Sequence, residues 1–285
     1  MFVTQYRLVA AIIAFAQCSN ITIEPNIALY EFAMAAGNEE ANKELKLFRI
    51  ADKINPQYWA DFALGHSDIF VPKLPKLSNI DLNQKVNFMM PPKSWRRNYI
   101  LVLKIAELEL KNSNPDHNII EFIEWMYKDF LFGTNALMLA NYYFARGNPR
   151  KKLLKNLRST DRKKALKGIK NATWDLTLLT EWYNSIESQQ RTQKISLLCS
   201  LDKKLLELAS LITDMSESNS NISEVYFEHF KRFWKEATAN KISTMYEKYM
   251  TNLSHSSRKL NEYNYKSKTE KFIHDGESFI LNWRK

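Results

Sequence analysis

The sequence has little of what most recognisable chemistry is built from. It holds six glycines in 285 residues, and no glycine-rich phosphate loop, G-x-S-x-G elbow, H-E-x-x-H pair or paired C-x-x-C occurs. Cys18 and Cys199 are the only cysteines. That argues against a disulfide framework, leaves no Cys-based zinc site, and points to a reducing, cytoplasmic setting. The five histidines, His66, His117, His229, His255 and His274, sit singly, none at metal-ligand spacing from another. The N-terminal apolar run, Leu8 to Ala16, is nine residues long, far too short to cross a bilayer. Ala14-Phe15-Ala16 imitates a signal-peptidase site, but with Arg7 as the single basic residue before the run the segment reads as a core helix.

What is present is a helix-forming, basic composition. Scarce glycine with abundant Leu, Lys, Glu and Asn predicts a helix-rich chain, and seven tryptophans argue against disorder. The length suits one large domain, or one domain with an appendage. With 41 Lys and Arg against 31 Asp and Glu, the formal charge is +10. This favours an anionic partner, nucleic acid or an anionic membrane surface. The membrane ranks last, because no basic helix carries a strong bulky apolar face.

In chain order, the pattern predicts helices over 4–18, 27–36 and 39–53, then an aromatic-rich turn or helix after Asn55-Pro56. Pro72, Pro75, Pro91 and Pro92 mark an extended connection from Val71 to Pro92. Ser94 caps a predicted helix to about Lys111, with Trp95, Tyr99, Val102, Ala106 and Leu110 on one side. Asn114-Pro115-Asp116 reads as a turn, followed by a helix through Phe130, and a further helix runs from Gly133 to about Gly147. Between Arg146 and Lys170 stand eleven Lys or Arg and one acid, Asp161. Arg150, Lys151, Lys152, Lys155 and Arg158 are expected on one short helix; Arg162, Lys163, Lys164, Lys167 and Lys170 on the next. Such a face attracts phosphates with strong salt dependence and reads no bases. Residues 222–250 read as one helix whose core face is Tyr226, Phe227, Phe230, Phe233 and Trp234. The last thirty residues read as a terminal helix.

The stretch richest in candidate chemistry is Gly168 to Ala209. Asn171 and Asp175 are four apart and share a helix face. Ile195 to Cys199 reads as a short buried strand that ends in Ser200-Leu201-Asp202, where the chain enters a helix. A carboxylate at that end of a strand is a common ligand position in α/β sheets. The plainer reading of each residue makes Asp175 a surface acid and Asp202 the N-cap of the helix from Lys203.

Together with Glu31 in ITIEPNIALYEFA, the segments KNATWDLTLL and LLCSLDKKLLELA resemble the PIN-domain nucleases. The resemblance covers 1–37 and 160–213. It implies an α/β fold, helix-rich, with a small parallel sheet of PIN-like type, a large helical insertion over 38–159 and C-terminal helices over 214–285. It implies that Glu31, Asp175 and Asp202 are catalytic and hold Mg²⁺ or Mn²⁺, with Asn171 and Ser200 steadying the carboxylates. The metal would activate water for attack on a phosphodiester. The family's first acid stands on an N-terminal strand, whereas this chain has no Asp before Asp52. The implied function is a metal-dependent nuclease on RNA, or DNA, of the toxin or defence kind. The alternative is a non-catalytic basic helical protein that binds nucleic acid or a protein partner. An inhibitory partner protein or a homo-oligomer completes the expected partners.

Overall fold

The computed structural model describes residues 2–76, 85–111, 114–146, 153–188, 194–216, 222–252 and 256–284. Among these residues there are twelve helices: α1 (Phe2–Cys18), α2 (Asn26–Ala36), α3 (Asn38–Ala51), α4 (Pro56–Leu64), α5 (Lys93–Lys111), α6 (Pro115–Lys128), α7 (Thr134–Phe144), α8 (Arg162–Glu187), α9 (Lys203–Ser216), α10 (Ile222–Lys231), α11 (Glu236–Thr251) and α12 (Ser256–Asn282). No helix is long and apolar enough to cross a membrane among the described residues.

No strand occurs among the described residues, so the expected α/β fold with a small parallel PIN-like sheet is corrected to an all-helical one. The run that reads as a buried strand explains the difference. Ile195 is 81% exposed and Leu197 66%. The segment lies extended on the surface, its Ser196 carbonyl accepting from Trp182 Nε1 at 3.2 Å. A short apolar run has no period that separates a strand from an extended surface segment. Asn20 to Ile23 form the exit from α1. Asn20 takes φ 55°, and Ile21 N–H returns to Ala16 O at 2.7 Å, as at left-handed helix caps.

The chain divides into two units, Met1–Pro91 and Pro92–Lys285. In the first, α1 packs on α4 and α2 on α3. Buried positions of α1 are small: Ala10, Ala14 and Ala16. Leu29, Ala33, Ala41, Leu45 and Phe88 form a small core. Gly37, at φ 94°, turns α2 into α3. Two asparagines of α3 hold the extended chain at 86–88: Asn42 exchanges both its amide bonds with Val86 at 2.9 Å, and Asn38 Oδ1 accepts from Phe88 N–H. These bonds satisfy a segment that has no ladder partner.

In the second unit α5 is the hub, packing on α6, α7, α8 and α12. It buries residues on nearly every side, among them Ile100, Leu103, Ile105 and Leu108, beyond the single expected face. A helix buried along most of its sides belongs at the centre of a bundle. Ser94 does not cap it; the helix starts at Lys93, and Trp95 N–H bonds Pro92 O. Trp95 packs on Trp174 of α8, and Asn98 Nδ2 donates to Thr177 and Thr180. The inward threonines of α8 bond back to carbonyls four residues earlier, which satisfies their hydroxyls in the core. Two glycines set close approaches: Gly168 stands against the Lys155 carbonyl and Gly276 against Leu103.

The expected single helix over 222–250 is two. The break at 232–235 turns Trp234 inward, where Nε1 donates to Asn141 Oδ1 at 2.9 Å. Of the expected helix over 150–158, the described part 153–158 is helical only at Leu153 and then runs as a bend and turns, with Asn156 at φ 60°.

Candidate functional site

The sequence-predicted acids end on separate structural features. Glu31 is exposed on α2 of the first unit. Asn171 and Asp175 lie on the exposed side of α8, four residues apart as expected. Asp202 is the N-terminal cap of α9: its Oδ1 accepts from Lys204 N at 2.8 Å and Leu205 N at 3.4 Å. Ser200 Oγ accepts from Asp202 N at 3.0 Å and so holds the cap in place. This is capping geometry, which satisfies helix N–H groups left without intrahelical acceptors.

A clamp beside the cap fixes α9 to α7. Lys204 Nζ donates to Tyr142 Oη at 2.8 Å and to Glu207 at 2.7 Å, and Tyr142 also donates to Glu207. The Lys204 hydrogen bond, then that of Tyr142, holds the Glu207 carboxyl below its ordinary range. Burial, then the bond to Glu207, pushes the Tyr142 hydroxyl up. The clamp is a local ion-pair network with a structural use.

Among the described residues no three His, Cys, Asp or Glu side chains gather to hold an ion. One Asp202 oxygen is engaged by backbone N–H groups. Mg²⁺ or Mn²⁺ needs several oxygen ligands converging on one point.

The basic segment sorts into structural and open cations. Arg158 Nη2 donates to Glu109 O and to buried Glu109 Oε1, both at 3.0 Å, tying the 154–158 turn to α5. Arg162 donates to the carbonyls of Leu157, Ser159 and Ile280, and burial lowers its pKa. Lys170 pairs with Glu277 at 3.6 Å and lies over the Tyr99 ring. Lys164 pairs with Asp161 on the surface. Lys155, Lys163 and Lys167 are exposed and have no ion pair among the described residues. Arg150, Lys151 and Lys152 lie outside the described residues. Asp161 caps α8 through the N–H groups of Lys163 and Lys164. The first turn of α8 therefore carries three cations and no acid, against the sign that the helix dipole favours there.

One further cation was missed by the sequence reading. Arg97 is the one charged group lining an open cleft of about 220 Å³, formed with Asn98, Thr134, Thr180, Tyr183 and Asn184 among others. Arg97 is exposed and has no ion pair among the described residues, whereas its neighbour Arg96 pairs with Glu270. Adjacent arginines in a first helical turn point about 100° apart, so the SWRR tetrad is the signal that one is available.

The excess charge belongs to one unit. Residues 1–91 hold eight Lys or Arg and nine Asp or Glu; residues 92–285 hold 33 and 22. No protein-family model, curated protein or solved structure matches this chain.

Proposed function

We propose that this chain is a helical protein that binds the sugar-phosphate backbone of nucleic acid through its second unit, without cleaving it. The observation that carries the reading is the charge partition: the second unit has all the net positive charge. Lys155, Lys163, Lys167 and Arg97 are exposed there without ion pairs among the described residues. The N–H groups at the start of α8 are taken by Asp161, so a phosphate there would be met by lysine side chains and not by the helix terminus. Lysine contacts of this kind position a backbone and select no bases.

The test is the salt dependence of binding to a single-stranded RNA oligonucleotide. Affinity falls with salt along a log–log slope of about −0.7 for each phosphate neutralised on a single strand. Replacing Lys155, Lys163 and Lys167 with Ala is expected to weaken binding and flatten that slope by about 2, the sum of three contacts. Salt-independent binding, or an unchanged slope in the triple variant, contradicts the reading.

A further inference from the structure

We propose that α1 is a self-association surface, and that its outer face packs against the first unit of a second copy of this chain. The inner face of the helix is complete. Positions 7, 10, 14 and 17 are spaced three, four and three apart. Ala10 and Ala14 are buried, Arg7 pairs with Asp68 at 2.7 Å, and Gln17 Nε2 donates to Asp52 O at 2.9 Å. Arg7 is the one charge of α1, and its pair with the exposed Asp68 occupies it.

One residue further round is a second row, Thr4, Leu8, Ala11, Phe15 and Cys18, spaced four, three, four and three apart. All five are exposed, with Leu8 at 46% and Phe15 at 63%. That spacing is the seam of a helix pair, in which large side chains enter holes on a facing helix. A helix carrying two such seams about 100° apart is made to lie between two helices. Within the described residues α1 packs on α4, and this seam is solvent-exposed.

Charge selects the occupant. The chain carries +10, so two copies repel through any surface of the second unit. The first unit holds eight cations and nine anions, and the seam holds none. It is where like molecules meet without desolvating or opposing charge. The same absence of charge leaves an anionic membrane or a nucleic acid nothing to grip. The seam is also self-complementary: in an antiparallel pair Phe15 covers Ala11 of the partner subunit, a large residue on a small one, as a two-fold contact requires.

The test is the mass of the full chain by light scattering, over concentrations up to about 100 μM, where a small interface is populated. The expected result is a shift towards twice 33.5 kDa. Leu8→Glu with Phe15→Glu is expected to return the mass to that of one chain, with unchanged helical circular dichroism. The matched control Leu201→Glu, at an exposed apolar residue of the second unit, is expected to leave the dimer intact. A monomer at every concentration overturns the proposal, as does a dimer that survives the double substitution.

Discussion

The two units of the chain solve burial in opposite ways. In residues 92–285 the largest side chains are inside: Tyr99, Phe122, Phe130, Phe144 and Phe230 are fully buried, and the exposed large apolar residues gather mainly at Ile195, Leu197 and Leu201. In residues 1–91 the inside is mostly alanine, and large side chains face out, among them Tyr6, Leu64, Ile69, Val71, Leu74 and Met90. Each buried large side chain contributes about 1.5–3 kcal/mol, and alanine far less. The second unit is therefore the stable scaffold that presents charge. The first spends its apolar surface outward, which is the composition of a surface that another molecule covers.

The sharpest way to break this comparison is at Gly168. A methyl group there meets the Lys155 carbonyl oxygen at 1.9 Å. Gly168→Ala is expected to destabilise the second unit by about 3 kcal/mol or more, because backbone has to move. Helix propensity alone predicts a gain of about 1 kcal/mol, so the sign of the change in a urea melt decides between them. In the first unit, Leu64→Ser at a 71% exposed position is expected to change stability by less than about 0.5 kcal/mol.

Acid sharpens the comparison next. A hydrogen bond from Thr238, helped by Arg146, holds the Asp116 carboxyl below its ordinary value; Lys204 and Tyr142 do the same for Glu207. A carboxyl depressed in the folded state stabilises above its unfolded pKa, and that stability is lost as pH falls through the folded value. Thermal midpoints are thus expected to fall below about pH 4. In Asp116→Asn with Glu207→Gln that acid-dependent part is expected to shrink, and an unchanged pH profile contradicts the assignment.

The smallest effect is at Asp202. As a cap, Asp202→Ala is expected to cost about 1 kcal/mol of stability and to leave RNA affinity unchanged, measured by melting and by anisotropy. A large loss of affinity with stability intact contradicts the capping role.

Much of the helical content was legible from period and punctuation. Pro56 and Pro115 start α4 and α6 after asparagine caps, and the proline-marked connection expected over Val71–Pro92, of which 77–84 lie outside the described residues, reaches the end of the first unit. Asp202 was legible too, since Ser-Leu-Asp before Lys-Lys-Leu-Leu is a capping sequence as well as a motif. What misled is local ambiguity settled by distant partners. Nothing between Phe230 and Glu236 is a helix breaker; the break follows from Trp234 reaching Asn141, 93 residues away. Ile195 and Leu197 are apolar yet exposed, and no local rule marks them. The Arg97 cleft draws its lining from 97–101, 130–136 and 180–184, so no single window of sequence contains it.

The most direct measurement incubates end-labelled single-stranded RNA with the full chain in Mn²⁺ and in EDTA, then runs each sample on native and denaturing gels. The account predicts RNA retarded on the native gel and full-length on the denaturing gel in both conditions. Cleavage in Mn²⁺ that EDTA suppresses, or no retardation at low salt, would contradict it.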